Sequence, residues 1–263
     1  MSRSHPIVLL TDFGLKDAYV ASMKAVILSL FHEAKIVDLT HEVGPQNVRQ
    51  AAFLLETVYS YFPKGSIFVS VVDPGVGSER KILAAKTEKG IFLAPDNGLL
   101  TRVLEKEGRY EVRGVTNSRF FLKKVSKTFH GRDCFAPAAA RIAKDPSRFR
   151  EVGPRSAHFK KLDFPSPRVS AKKIVGEIVY FDHFGNAFTN IPKKLFAERD
   201  KKFGHRVRVR GKTLGTIQGS YFEAKRGQAV AVISSTDWIE IAVNQGSARK
   251  KLRLKEGMSV EIF

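Results

Sequence analysis

Ile67-Phe68-Val69-Ser70-Val71-Val72-Asp73-Pro74-Gly75-Val76-Gly77 is an apolar run that stops at a carboxylate and a glycine turn. Three other runs in the first 100 residues end at similar polar turns. Ile7-Val8-Leu9-Leu10 meets Thr11-Asp12-Phe13-Gly14, Ile36-Val37-Asp38-Leu39 meets Thr40-His41, and Ile91-Phe92-Leu93-Ala94 meets Pro95-Asp96-Asn97-Gly98. Short β-branched runs without alternation predict strands of a sheet buried on both faces. Ligands of open α/β sheets bind beyond the carboxyl ends of such strands. The aspartate-bearing turns therefore predict a site for a polar or cationic small molecule, and with it an enzyme.

Helical spacing separates these strands. Val20, Met23, Ile27 and Leu30 predict a helix over Asp17–Phe31, with Asp17 as its cap. Val48, Ala51, Ala52, Leu55, Tyr59 and Phe62 predict a second over Gln46–Phe62, and Ala136–Ala143 a third, short one. Alternating strands and helices imply parallel, right-handed crossovers. Composition changes at Phe164-Pro165-Ser166-Pro167-Arg168, the predicted linker. Beyond it come period-two strands: Ile174–Phe181, Arg206–Val209, Ala229–Ile233, Trp238–Val243 and Ser259–Phe263. Turns at Gly185, Gly211, Gly219 and Gly227 separate most of them, which predicts a small antiparallel barrel or sandwich. The expected organisation is an α/β domain over residues 1–164, with a mostly parallel sheet, and an all-β domain over 172–263.

At 263 residues, 43% apolar and 27% charged, the chain has the composition of a soluble globular protein. Its single cysteine, Cys134, excludes an intrachain disulfide and fits a reducing cytoplasm; it reads as a packed, inert thiol. No apolar run approaches the ~20 residues of a membrane span, and no signal-peptide core precedes the first strand. The net charge of +19 raises nucleic-acid binding as a function of a different class. The basic residues are scattered, however, and no helix-turn-helix, zinc-finger or aromatic-basic RNA motif is present.

Three segments carry candidate chemistry. In Val72-Asp73-Pro74-Gly75-Val76-Gly77-Ser78-Glu79-Arg80 a strand-end carboxylate and an arginine flank a glycine loop. This is neither a Walker loop nor a dinucleotide fingerprint. Thr128-Phe129-His130-Gly131-Arg132-Asp133 sets a histidine among charged neighbours. Asp182-His183-Phe184-Gly185-Asn186-Ala187-Phe188-Thr189-Asn190 alternates aromatics with amides, which suits a planar heterocycle: rings stack while amides read the edge. Ser234-Ser235-Thr236-Asp237-Trp238 is a weaker polar loop. Taken singly, each also reads as an ordinary turn, with aspartate and asparagine in their usual turn roles. The seven histidines show no metal-ligand spacing, so no metal is expected.

Five motifs in order, Thr11–Gly14, Val72–Gly77, Ala94–Gly98, Phe129–Asp133 and Asp182–Asn186, resemble the S-adenosyl-L-methionine hydroxide adenosyltransferases, relatives of the bacterial fluorinase and chlorinase. The resemblance spans nearly the whole chain. It implies hydrolysis of S-adenosyl-L-methionine, a substrate rather than a cofactor, to adenosine and methionine by in-line attack of water or hydroxide on the ribose 5′-carbon. It places the catalytic triad on Asp73, Arg80 and His130, and the grip on the ribose diol on Asp12. Asp182 would meet the methionine ammonium, Phe184 stack on adenine and Asn186 read its edge. Ser235, Asp237 and the backbone at Val243 would complete the purine pocket. The resemblance also implies a cyclic homotrimer with its site between subunits. Halogenase activity, giving 5′-halo-adenosine, is the alternative within the family. Those relatives carry an aromatic where Asp73 stands and a small polar residue or glycine where Val76 stands. The fluorinase also carries an insertion between the positions of Gly98 and His130, and this chain has none.

Overall fold

The computed structural model describes residues 5–197 and 205–263, which form two compact units, Met1–Leu162 and Asp163–Phe263. The first contains β1 (Ile7–Thr11), α1 (Tyr19–Leu30), β2 (Ile36–Thr40), α2 (Val48–Val58), β3 (Ser66–Val71), β4 (Ile82–Thr87), β5 (Gly90–Pro95), α3 (Thr101–Glu107), β6 (Tyr110–Gly114) and α4 (Ala136–Lys144). Its sheet runs β2-β1-β3-β5-β4-β6. The first four strands are parallel, while β4 pairs antiparallel with both β5 and β6.

Period-two packing explains why the central strands read as unbroken apolar runs. Ile7 and Leu9 of β1, Ile67 and Val69 of β3, and Ile91 and Leu93 of β5 join one core with α1 and α4. Their neighbours Val8, Leu10, Phe68, Phe92 and Ala94 join a second core with α2 and α3 on the opposite face. Phe68 and Phe92, paired in register, stack with ring centroids 4.7 Å apart.

Two expectations need correction. β2 is not buried on both faces: it is the edge strand, and Val37 and Asp38 are exposed. Asp17 does not cap the first helix, which begins two residues later after Ala18 with no side-chain cap bond. The second helix is capped instead by Asn47, whose Oδ1 accepts from the Gln50 amide, and it tightens into a 3-10 turn over Tyr59–Tyr61.

The second unit holds β7 (Arg168–Val169), β8 (Ile174–Phe181), β9 (Ala187–Pro192), α5 (Lys194–Ala197), β10 (Arg206–Val209), β11 (Lys212–Thr216), β12 (Ala229–Ile233), β13 (Trp238–Val243), α6 (Ala248–Lys251) and β14 (Ser259–Ile262). All its strand pairings are antiparallel, in the order β11-β10-β14-β8-β9-β13-β12, with β7 beside β8. Beyond β11, the Gln218 amide donates to Ala231 of β12, so the sheet curls to a nearly closed barrel around Ile174, Ile178, Ile191, Val207, Ile241 and Val260. Among the described residues no helix is long and apolar enough to cross a membrane.

Candidate active site

The loop leaving β3 is folded on itself by short-range bonds. The Val76 amide reaches the Asp73 carbonyl, and Ser78 returns both its amide and its hydroxyl to the Gly75 carbonyl. Gly77 has φ +82, and a Cβ there would collide with the carbonyl oxygen of Lys127. Only glycine combines that conformation with so close an approach. The contact brings the Asp73 loop against the segment that leads to His130.

There the three expected catalytic side chains meet. Arg80 Nε lies 2.9 Å from each Asp73 carboxylate oxygen, and Arg80 Nη2 also bonds Asp73 Oδ2. The same Nη2 lies 2.8 Å from His130 Nδ1. The Asp73 and Arg80 side chains are each only 6% exposed, a buried and geometrically matched pair. Arginine can only donate, so Nδ1 of neutral His130 accepts and its proton resides on Nε2. Burial, then the adjacent Arg80 charge, holds the His130 pKa below the usual histidine value, against the opposing pull of Asp73 and Asp133.

His130 precedes a single wide π turn, Gly131–Phe135, that runs into α4. Asp133, fully buried in that turn, accepts from Arg132 Nε and Nη2 and from the Ser126 amide. Ser126 Oγ in turn accepts from the Phe129 amide, which ties down the segment before His130. Burial would raise the Asp133 pKa, but the bonds from Arg132 and Ser126 outweigh it and leave the carboxyl lowered.

Asp73 and His130 line a cleft of about 400 Å³ together with Asp12, Phe13, Tyr19 and Phe129. Asp12 follows β1, and its Oδ2 accepts from the Gln46 amide at 2.8 Å. Phe13, Tyr19 and Phe129 form a mutual aromatic cluster with centroids 5.2–5.9 Å apart. Two carboxylates lining a cleft that also has aromatic residues in its wall suit a cationic ligand that carries a polyol. Among the described residues no group of three or more histidine, cysteine or acidic side chains is placed to hold a metal.

The remaining candidates lie in the second unit. Asp182, Phe184 and Asn186 form the turn between β8 and β9. Asp182 Oδ1 accepts from the Asn186 amide and Oδ2 from Asn186 Nδ2, so the two side chains brace each other. Gly185 has φ +83, a Cβ there would strike Ser247 Oγ, and its carbonyl accepts from the Arg249 amide. The pinned turn leaves the Phe184 ring 72% exposed. Register places Val243, the last residue of β13, at the same end as Ala187 and hence beside this turn. Ser235 and Asp237 precede β13 and lie at its opposite end, so this unit does not gather them into one pocket with Asn186 and Val243. Their loop is shaped by Asp237 at φ +61 and by Ser234, which bonds both the Thr236 and Trp238 amides.

Two residues without an expected role also bear on the site. Asn97 Nδ2 donates to the Val72 carbonyl at 2.8 Å and so fixes the strand end that carries Asp73. Its signal in the sequence is the Pro95–Gly98 turn. Glu240 of β13 is 1% exposed and accepts from the Tyr221 hydroxyl at 2.8 Å. Burial, with Asp182 nearby, pushes its carboxyl up to about 7. Nothing in the short strand Trp238-Ile239-Glu240-Ile241 marked that carboxylate as buried.

Comparison with known proteins covers both units. The family model described as the SAM hydroxide adenosyltransferase N-terminal domain matches residues 7–153, and its C-terminal counterpart matches 176–261. An (R)-S-adenosyl-L-methionine hydrolase of Thermus thermophilus is 37% identical, over 98% of this chain and 99% of its own. One from Methanocaldococcus jannaschii is 35% identical over 98% and 95%. A fluorinase of Nocardia brasiliensis is 27% identical over 97% and 96%. The crystal structure of an uncharacterized conserved protein from Thermotoga maritima superposes with a TM-score of 0.91 at 41% identity, covering 98% of this chain and all of that one. The chain belongs to the SAM hydroxide adenosyltransferase family.

Proposed function

We propose that this protein hydrolyses S-adenosyl-L-methionine to adenosine and L-methionine, with Asp73, Arg80 and His130 as the catalytic residues. The observation that carries the reading is the bonding of Arg80 to both Asp73 and His130, two side chains that line one cleft with Asp12. A water oxygen attacks the ribose 5′-carbon as the carbon–sulfur bond breaks, and the bond's electron pair leaves on sulfur. Methionine departs as a neutral thioether, so the chemistry needs neither a leaving-group acid nor a cofactor.

The tautomer of His130 divides the labour. With Nδ1 occupied by Arg80, neutral His130 presents Nε2–H and donates to the attacking oxygen. The proton acceptor is Asp73, through the lone pairs its arginine leaves free. Arg80 favours a hydroxide-like nucleophile by its charge. The same carboxylate opposes entry of a halide, which disfavours the halogenase alternative.

Asp12 takes the ribose diol as a paired acceptor, Asp182 the methionine ammonium, and Phe184 the adenine face. Asn186 reads the adenine edge with Oδ1 and the second Nδ2 hydrogen, the first being donated to Asp182. The family resemblance also assigns Ser235, Asp237 and the Val243 backbone to the purine pocket; of these, Val243 lies beside Asn186 and the other two at the opposite end of β13. The proposed assembly is a cyclic homotrimer in which the first unit of one subunit faces the second unit of its neighbour. The division of the candidate residues between two units supports it. The proposed compartment is the cytoplasm, in keeping with the single buried Cys134.

Incubation with each sulfonium epimer of S-adenosyl-L-methionine, with a chelator present, tests the reading. Equimolar adenosine and methionine are expected. The hydrolase relatives are named for the (R) epimer, so that epimer is expected to react faster. Absence of both products from either epimer overturns the reading.

A further inference from the structure

Behind Asp12 runs a chain of polar side chains that the triad does not use. Thr11, the last residue of β1, is fully buried, and His41, just after β2, is 3% exposed. Thr11 Oγ1 lies 2.8 Å from His41 Nδ1. His41 Nε2 lies 3.0 Å from Asp38 Oδ1, off the line of a directed hydrogen bond. Asp38 Oδ2 accepts from Lys24 Nζ at 2.6 Å.

The proton positions along this chain are fixed by its ends. Asp38 faces Nε2, and a lone pair there would repel the carboxylate, so Nε2 carries the proton. Nδ1 then accepts from the Thr11 hydroxyl, whose oxygen accepts in turn from the Phe13 amide at 3.2 Å. The His41 carbonyl separately accepts from the Gly14 amide at 2.7 Å. Asp12 is therefore flanked by Thr11 and Phe13, both bonded within this chain, and Gly14 just beyond is held by the His41 backbone.

The backbone of β2 is shaped to permit this. Residues three apart on a regular strand face opposite ways. Leu9 pairs with Asp38 and Leu10 with Thr40, so β2 carries one extra residue at Leu39. That bulge turns Asp38 and His41 toward the same side. Bulges of this kind re-aim side chains beside active sites.

We infer that His41 is a positioning residue, which acts through Thr11 to hold the Asp12 carboxylate in the orientation that takes the ribose diol. The inference rests on the reading of Asp12 given above. It assigns selectivity for the 2′-hydroxyl to residues that never touch substrate.

The test compares kcat/KM for S-adenosyl-L-methionine with that for its 2′-deoxy analogue. Thr11→Val is close in shape and removes both hydroxyl bonds, to His41 and from the Phe13 amide, and His41→Leu removes the hub while leaving the Thr11–Phe13 bond. Each is expected to lower the preference for the hydroxylated substrate roughly tenfold, about the weight of one hydrogen bond. Thr11→Ser should restore it, and Thr11→Val should add nothing to Asp12→Asn. A merely structural role would depress both substrates together and leave the ratio alone. If Asp12→Asn abolishes the preference while folded Thr11→Val and His41→Leu enzymes keep it, the inference is overturned and the site reading stands. If Asp12→Asn itself leaves the preference intact, the assignment of the diol to Asp12 falls, and this inference with it.

Discussion

Arg80 Nη2 sits 2.8 Å from His130 Nδ1, and this contact dictates which imidazole nitrogen is protonated. Protonating His130 would set two donors and two positive charges against each other. Burial first, and Arg80 second, accordingly hold its pKa below the ordinary value of 6.5. The kcat/KM profile should stay level through neutrality and fall only below that value, as the imidazolium forms. His130→Ala should lower kcat by about 100-fold and remove the acid break. A pH–rate series on both proteins checks this.

The Asp73–Arg80 pair carries a cost when broken. Both side chains are 6% exposed, so Arg80→Ala strands a buried carboxylate and should destabilise the protein by about 3–5 kcal/mol. Arg80→Lys, which retains the charge without the fork, should lose less stability but still most turnover. Urea unfolding set beside initial rates separates the two effects.

Glu240 makes stability depend on pH. Its carboxyl titrates near 7 in the folded protein, against an ordinary value of 4.5. Between these values the folded state binds more protons than the unfolded chain. The contribution of Glu240 to stability is therefore fullest below 4.5 and declines as pH rises through 7, by up to about 3 kcal/mol. Glu240→Gln retains an acceptor for the Tyr221 hydroxyl and cannot ionise. Its unfolding free energy should lack that decline, which measurements at pH 5 and pH 8 will reveal.

Asp73 and Asp182 belong to different units, which makes a mixing experiment informative. Asp73→Asn and Asp182→Ala chains should each be inactive alone. In the proposed trimer, assemblies formed from both should recover part of the activity, because some of the proposed interfaces then pair two intact halves. Activity assays on mixed trimers verified by native mass spectrometry decide the matter.

Much of this was legible in the sequence because burial on both faces leaves a plain mark. β1, β3 and β5 are predominantly apolar, with only Ser70 inside the β3 run, and the ends of β1 and β3 located Asp12 and Asp73. β4 and β6 escaped notice: Ile82-Leu83-Ala84-Ala85-Lys86-Thr87 mixes alanine with an exposed lysine, and Tyr110-Glu111-Val112-Arg113-Gly114 alternates on the sheet's outer edge. β2 read as buried because Ile36 and Val37 are apolar, yet nothing local says that a strand lies at an edge. The triad was found as separate motifs, but the atom that joins them, Arg80 Nη2, is a matter of geometry. His41 and Glu240 stayed silent for the same reason: each takes its meaning from a partner on another strand or helical turn.

The origin of one oxygen atom tests the central claim most directly. With S-adenosyl-L-methionine in water enriched with heavy oxygen, mass spectrometry should find one label in the 5′-hydroxyl of adenosine and none in methionine. Label elsewhere, or adenosine formed without it, would contradict direct attack of water on the 5′-carbon.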